Sequence, residues 1–287
     1  MMRPLQVIVA LHRRRLLSKS IAHKIIYILA SSIFIVIALE ALLRFTDPLG
    51  IWRYRSLNLF YSQYVVNSEP TGYDFADGTH TGVGHTFTIE NGNRRLPDRG
   101  EDCTIAFLGD SFAFGWGVDD EQIYPYLLAQ EFDRVTFINT GRPAYSMANI
   151  MLVVDDVQAD GYVWFIVEND DAPIATAYGN PPHILWRSTA IRTYLDVSQR
   201  NSDVDYYNID GFAEDVIQLT GRDDLIAFGY GRLAEIAGVN IIPEYDYISP
   251  GDHHPDANGH AQIADLMLPK VRDLISQVCG ETYAEIE

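Results

Sequence analysis

Apolar positions between residues 104 and 278 fall into two alternating patterns, short continuous runs and longer runs with helical spacing. Continuous runs of this length are typical of parallel strands that are covered on both faces. They occupy residues 104–108, 135–139, 162–167 and 239–242. Helical spacing is found at residues 123–132, 144–157, 233–238 and 261–278. The alternation predicts an α/β fold, a flavodoxin-like three-layer α/β/α sandwich with a short parallel sheet.

Residues 25–43 form a longer apolar run, with Glu40 as its single charge. As a helix these 19 residues span about 28 Å, close to the roughly 30 Å of a bilayer's hydrocarbon core. Basic residues precede the run at positions 13, 14, 15, 19 and 24, so the positive-inside rule leaves the N-terminus in the cytoplasm. We therefore expect one N-terminal transmembrane helix in the inner (cytoplasmic) membrane, with the rest of the chain periplasmic.

A cleaved signal peptide is the alternative interpretation of the same run. Its basic region fits, but the apolar part of a signal peptide is about 7–15 residues long, which is shorter than this run. Residues 42–47 also contain no small-x-small cleavage site. An uncleaved anchor is therefore favoured.

Residues 44–102 lack a helical period and are rich in Gly, Asn, Thr and Tyr, which indicates a stem or β-rich cap. Within this segment residues 86–90 alternate as a strand does, and Asn91-Gly92 is a hairpin turn signal. The predicted divisions of the chain are a cytoplasmic tail 1–24, the anchor 25–43, this stem 44–102 and an α/β domain 103–287.

Several polar residues are candidates for binding sites but are better explained without one. His80 and His85 have no acid or cysteine partner at ligand spacing, so surface positions are expected rather than a metal site. Arg94 and Arg95 have the charge to meet an anionic substrate, although solvation in a loop is favoured. The acid pair 170–171 lacks the further spaced oxygen ligands of a calcium site. No metal or cofactor is expected.

Charge is divided unevenly along the 287 residues, whose formal net charge is −18. Residues 1–45 hold seven of the 21 Lys and Arg but one of the 39 acids, which leaves −24 on the remainder. A surface this acidic repels phosphate backbones, so no nucleic-acid partner is expected. The hydrophobic share of 47% excludes general disorder.

The chain has two cysteines, Cys103 before the first core strand and Cys279 at the end of the last helix. Export beyond an inner membrane permits a disulfide, which would tie the two ends of the domain together. Two buried free thiols are an equally good interpretation of the same residues.

A serine stands where the first core strand ends, in Gly109-Asp110-Ser111. Open α/β sheets place reactive groups beyond the carboxyl ends of their strands, and a serine becomes nucleophilic when a histidine with an acid partner removes its proton. Near the C-terminus, Asp252-His253-His254-Pro255 offers an acid and two histidines in a loop. Gly-Asp-Ser alone also forms ordinary turns, so the candidate site depends on both blocks together.

Four blocks of the chain resemble those of the SGNH, or GDSL, hydrolases, and the first is similar to that of membrane-anchored bacterial members. In family order they are residues 109–118, 139–146, 168–170 and 252–255. The resemblance implies the SGNH hydrolase fold, with Ser111 as the nucleophile, His254 as the base and Asp252 as its orienting acid. It also implies an oxyanion hole formed by the Ser111 amide, the Gly141 amide and the Asn169 side chain.

Two positions depart from this family pattern. Val167 stands where the family has a glycine two residues before the oxyanion asparagine, and Gly251 stands where the acid often lies three residues before the histidine. Here the acid lies two residues before His254. His253 is the competing base, and the proline that follows His254 matches the family and favours the second histidine.

The resemblance implies a serine esterase or deacylase that acts on O-acyl esters of an envelope or extracellular glycan, or on another small ester. A polysaccharide O-acyltransferase with the same triad is the first alternative. A non-catalytic glycan-binding or assembly protein with a decayed site is the second. A set of aromatic residues would either line a sugar-binding cleft or, as favoured, pack against the core: Tyr178, Trp186, Tyr194, Tyr206 and Tyr207.

Overall fold

The computed structural model describes residues 4–100, 102–167, 170, 216 and 218–285. A long N-terminal helix, α1 (Pro4–Thr46), leads into a stem of one helix and five short strands. These are α2 (Ile51–Tyr61), β1 (Val65–Ser68), β2 (Gly72–Phe75), β3 (Gly78–Gly82), β4 (His85–Glu90) and β5 (Asn93–Arg94).

Helix α1 contains a stretch that is long and apolar enough to cross a membrane. This stretch, His23–Thr46, has 24 residues, a mean hydropathy of 2.5 and no buried part. The predicted anchor, residues 25–43, lies within it. Its location in the inner membrane and its orientation stay predictions.

Seven strands and five helices follow in the rest of the described chain. The strands are β6 (Thr104–Gly109), β7 (Thr136–Asn139), β8 (Gly161–Ile166), β9 (Leu225–Gly229), β10 (Asn240–Ile241), β11 (Tyr247–Ser249) and β12 (Asp252–Pro255). The helices are α3 (Ser111–Phe114), α4 (Tyr124–Gln130), α5 (Met147–Asp156), α6 (Gly231–Ala237) and α7 (Ala257–Cys279). Strands β6 to β10 are parallel in the order β7-β6-β8-β9-β10. This is the 2-1-3-4-5 order of flavodoxin-like sheets, so the predicted fold class is confirmed.

Apolar side chains of alternate residues on β6 serve two separate cores, as the pleat of a strand requires. Ile105 and Phe107 face a cluster that includes residues of α4 and α7, whereas Ala106 and Leu108 face one that includes residues of α5. The sheet is therefore covered on both faces, which accounts for the continuous hydrophobicity of its strands.

Three stem strands extend the parallel sheet on one side. Strands β3, β4 and β5 pair antiparallel in sequence, and Arg94 of β5 pairs with Asn139 of β7, which gives a mixed sheet of eight strands. Asn91 and Gly92 form the predicted hairpin turn, both with positive φ, 51° and 74°. The sequence predicts the hairpin but not its partner, because the residues that pair are 45 positions apart.

Cys103 and Cys279 form a disulfide, with their Cα atoms 5.8 Å apart. The bridge joins the residue before β6 to the last residue of α7. Of the two interpretations open at the level of sequence, the structure supports the bridge.

Candidate active site

Ser111 follows the central strand β6 after a tight turn. Gly109 has φ 147°, and a Cβ there would lie 3.0 Å from both Ala113 Cβ and the Phe165 carbonyl oxygen, so the turn requires glycine. The Asp110 carboxylate caps helix α3 by accepting the Phe112 amide at 2.9 Å. These contacts hold Ser111, 7% exposed, as the first residue of the helix.

The β11–β12 hairpin brings the predicted base and acid to this serine. His254 Nε2 lies 2.7 Å from Ser111 Oγ, and His254 Nδ1 lies 2.5 Å from Asp252 Oδ1. Asp252 is 2% exposed and its Oδ1 also accepts the His254 amide at 3.2 Å. His253 contacts the Pro250 carbonyl oxygen at 3.1 Å instead. The geometry therefore places His254, and not His253, against the serine.

Aromatic side chains surround the His254 imidazole. Phe112 and Trp116 lie with ring centroids 5.1 and 5.3 Å from it, and Tyr54 of the stem is stacked at 6.4 Å. These contacts restrict the tilt of the ring while leaving its side chain 16% exposed. The ring is thus fixed in place and partly exposed to solvent.

A second acid touches the serine hydroxyl. Asp110 Oδ2 lies 3.1 Å from Ser111 Oγ, and burial raises the pKa of this carboxyl. The hydroxyl has one proton to donate, for which His254 and an ionised Asp110 would compete.

The loop after β7 packs directly against the nucleophile helix. Asn139 is fully buried, and its Nδ2 donates to the Ala113 carbonyl at 2.7 Å while its Oδ1 accepts the Gly141 amide at 3.0 Å. A Cβ on Gly141 would lie 2.5 Å from the Phe114 nitrogen, so the close approach requires glycine. Asn139 therefore links the loop to the helix that starts at Ser111.

The oxyanion hole stays a prediction. Gly141 lies beside α3 as expected, but its amide donates to Asn139 Oδ1, so within this structure that hydrogen is engaged by its own loop. Asn169 lies outside the described residues, as do the five aromatic residues predicted between 178 and 207. The Ser111 amide, at the start of α3, is the remaining predicted donor.

Arg94 is a site residue that the sequence does not reveal. Its side chain is fully buried, and it donates to the Phe114 carbonyl at 2.6 Å, to the Gly115 carbonyl and to the Val118 carbonyl at 2.7 Å. It also pairs with the buried Asp120 at 3.1 Å. The expectation of a solvated loop arginine is therefore wrong. Arg94 holds the segment that follows Ser111 and carries Trp116.

Tyr61 and His85 hold the same segment from the stem. The Tyr61 hydroxyl accepts the Gly117 amide at 2.9 Å and is bonded to His85 Nε2 at 2.8 Å. Burial raises the pKa of Tyr61 to about 12 and lowers the pKa of His85 to about 4, so both are neutral near pH 7. His85 is 5% exposed, so its predicted surface position is wrong. Its partners are distant in sequence, and no local pattern marks them.

No protein-family model matches the chain, and no curated protein matches it. The chain is similar to solved structures of the lipolytic G-D-S-L type. One is a lipolytic G-D-S-L family protein from Veillonella parvula DSM 2008, with 13% identity, 58% of this chain and 97% of that chain covered, and a TM-score of 0.36. Another is the lipase/acylhydrolase from Enterococcus faecalis, with 12% identity, 59% and 95% covered, and a TM-score of 0.36. A third is Axe2, an acetylxylan esterase from Geobacillus stearothermophilus, with 14% identity, 60% and 95% covered, and a TM-score of 0.34.

Likenesses with identities and TM-scores this low do not establish what this chain acts on. The side-chain geometry is independent of them. A serine hydroxyl, an imidazole and a buried carboxylate in hydrogen-bonded sequence are the arrangement that converts a serine into a nucleophile.

Proposed function

We propose that the chain is a serine hydrolase of the SGNH type, an esterase or deacylase that cleaves O-acyl esters. The observation that carries the proposal is the hydrogen-bonded series Ser111–His254–Asp252, with distances of 2.7 and 2.5 Å. The three residues come from two segments 141 positions apart. An arrangement with one histidine nitrogen on a serine and the other on a buried acid serves acyl transfer.

In this mechanism the Ser111 hydroxyl attacks the ester carbonyl while His254 Nε2 takes its proton. Asp252 holds the proton on Nδ1 and stabilises the imidazolium that forms. His254 then protonates the departing alcohol, and a water molecule, deprotonated by the same imidazole, releases the acyl group. The Ser111 amide, the Gly141 amide and the Asn169 side chain are the proposed donors to the oxyanion.

The proposed acyl carrier is a glycan of the envelope or the extracellular space. The support for this is the location expected of the chain, since α1 contains a stretch able to cross a membrane and basic residues precede it. A periplasmic site beside the membrane has access to envelope polymers, whereas soluble esters of the cytoplasm lie across the membrane. Other small esters are accommodated by the same chemistry.

Hydrolysis of p-nitrophenyl acetate and labelling by a fluorophosphonate test the proposal. The wild-type protein is expected to hydrolyse the ester and to be labelled at Ser111, and Ser111→Ala is expected to lose both. His253→Ala, a matched change of the neighbouring exposed histidine, is expected to retain both. Undiminished hydrolysis by Ser111→Ala would reject the mechanism, and a folded wild-type protein that is neither active nor labelled would favour the non-catalytic alternative.

An acceptor experiment separates hydrolysis from transfer, for which the triad is the same. Free acetate released from acetylated glycan supports the esterase. Acetyl recovered on added unmodified glycan, with faster consumption of the acyl donor, would replace the esterase by an O-acyltransferase.

A further inference from the structure

The end of the apolar helix α1 is joined to the catalytic hairpin by direct hydrogen bonds. Helix α1 ends at Thr46, and three residues later the Leu49 carbonyl accepts the Gly251 amide at 2.7 Å and the Ser249 hydroxyl at 3.1 Å. Gly251 fits closely here, because a Cβ would lie 2.3 Å from the Leu49 oxygen. The hairpin that carries Asp252 and His254 thus rests on the turn that leaves α1.

Chain geometry limits how far the site lies from that helix end. Thr46 to Leu49 and Gly251 to His254 are three Cα steps each, at most about 11 Å apiece, and the hydrogen bond between them adds little. The base therefore lies within about 30 Å of the end of α1.

The residues around this turn form a set suited to a membrane surface, which we call the collar: Arg44, Phe45, Trp52, Arg53 and Arg55. Phe45 is 91% exposed, and the guanidinium groups of Arg44 and Arg55 lie 4.8 and 5.6 Å from the centroid of the Trp52 ring. Tryptophan and arginine favour the interface between hydrocarbon and headgroups.

Charge separates the collar from the rest of the domain. The chain beyond residue 45 carries a net −24, yet Arg53 and Arg55 lie within its first ten residues. Arg44, just before them, is paired with Glu40 at 2.7 Å. Asp47 is engaged by the backbone amides of Trp52 and Arg53, at 2.9 and 2.8 Å, at the start of α2. The collar therefore has the charge to complement anionic lipid headgroups.

Helix α2 carries three of the five collar residues and one wall of the site. Trp52 and Arg53 are exposed, whereas Tyr54 stacks near His254 and Trp116, with centroids 6.4 and 5.7 Å apart. We infer that the collar docks on the bilayer surface, and that the site takes its ester from a membrane-bound carrier, such as a lipid or a lipid-linked glycan. This inference rests on the proposed esterase function and specifies its substrate class.

The test uses the full chain in vesicles of phosphatidylcholine with 30% phosphatidylglycerol. One probe is an acetyl ester of umbelliferone linked to a phospholipid headgroup by a short spacer, and the other is the same ester free in solution. The comparison variant is Trp52→Ser/Arg53→Gln/Arg55→Gln. Each arginine near an anionic surface contributes about fivefold to the binding of the collar to that surface. The ratio of the rate on the lipid-linked ester to the rate on the free ester should therefore fall by about tenfold or more. Free-ester hydrolysis by the variant reports that it is folded.

An unchanged ratio in the collar variant would overturn the inference while leaving the esterase intact. A wild-type protein that hydrolyses neither the lipid-linked nor the free ester would instead overturn the proposed function. A readout without catalysis comes from brominated lipids, which should quench wild-type tryptophan fluorescence more strongly than that of Trp52→Phe. Equal quenching of the two proteins would place Trp52 away from the bilayer and also overturn the inference.

Discussion

At the scale of single residues, one carboxylate oxygen holds the base in place. Asp252 Oδ1 accepts both the amide and the ring of His254, whereas Oδ2 is buried without a hydrogen-bond partner among the described residues. The acid therefore acts on the orientation and tautomer of the ring through a single atom. Its spacing of two residues from the histidine, a departure from the family pattern, is compatible with this contact.

Replacing Asp252 by Asn should preserve the fold and remove activity. The amide keeps the shape of the carboxylate but favours the wrong imidazole tautomer, which lowers turnover by up to about 10⁴-fold. Turnover and melting temperature measured together on Asp252→Asn check this, with His253→Ala as the matched control. An Asp252→Asn protein with near wild-type turnover would show that Asp252 is not the orienting acid.

Replacing Arg94 by Met should destabilise the protein and slow catalysis. Removing one partner of a buried ion pair costs about 3–5 kcal/mol, and the carbonyls of the segment that carries Trp116 lose their donors. We expect kcat to fall more than KM rises, since the segment orients His254. Urea unfolding measures the free energy of unfolding, and steady-state kinetics measure kcat and KM.

Two variants control this experiment. In Arg94→Met/Asp120→Asn the second change removes a buried carboxylate that would keep only Arg95, at 3.5 Å, as a cation partner. The cost of the double change should therefore be less than the sum of the two single costs. Arg222→Met removes an arginine from an exposed ion pair, so neither the free energy of unfolding nor kcat should change measurably. Additive costs at Arg94 and Asp120 would contradict the pairing.

The sequence reveals the triad but not the residues that hold it. Ser111, Asp252 and His254 lie in short blocks whose composition reflects their chemistry. Arg94 and Tyr61 act through backbone groups 20 to 56 positions away, and the apolar pattern around them does not differ from that of an ordinary loop or helix. Contacts of this kind depend on the tertiary fold, which local patterns do not encode.

At the scale of elements, boundaries depend on caps more than on apolar spacing. The predicted helix 261–278 starts earlier, at Ala257, because the Asp256 side chain accepts the Gly259 amide at 2.9 Å. The predicted helix 144–157 is shorter, Met147–Asp156, because Ser146 and Asn149 form a capping box. Both caps are visible in the sequence, but apolar spacing alone misses them.

Helices α4 and α7 meet at a histidine that should make the fold sensitive to acid. His260 Nδ1 accepts the Tyr124 amide at 3.2 Å, and burial lowers its pKa to about 3. An unfolded histidine titrates near 6.5, so below that pH the unfolded state binds more protons. Stability should therefore fall between about pH 6.5 and 3, by up to about 1.4 kcal/mol per pH unit, and His85 adds to the effect down to about pH 4.

Urea unfolding at pH 7.5 and pH 5 measures this dependence. His260→Asn keeps an acceptor for the Tyr124 amide but has no proton to gain, so its stability should depend less on pH. His253→Asn, a change at an exposed position, should keep the wild-type dependence. Equal dependence in His260→Asn and the wild-type protein would contradict the assignment.

At the scale of the whole molecule, the Cys103–Cys279 disulfide closes the α/β domain on itself. It joins residues 176 positions apart, and a cross-link of this kind stabilises by typically about 2–4 kcal/mol. The bridge precedes β6, whereas Ser111 follows the other end of this strand, whose six residues rise roughly 16 Å. Replacing both cysteines by serine should lower the free energy of unfolding by that amount and leave kcat nearly unchanged. Urea unfolding measures the first quantity, and steady-state kinetics at low temperature measure the second. A large loss of kcat in the folded variant would contradict the separation of the bridge from the site.

The pairing of β5 with β7 limits where the chain can be truncated. A chain cut at residue 103, the boundary that the sequence suggests, would expose the outer edge of β7, and exposed edge strands are templates for aggregation. It would also leave Asp120 buried without the cation beside it. The segment 44–102 is therefore not a linker whose length or sequence can be changed without affecting the α/β domain. Asp47 and Leu49, in the short link after α1, are bonded to α2 and to the catalytic hairpin in the same way. Any change in the distance between the apolar helix and the serine therefore has to be made within α1.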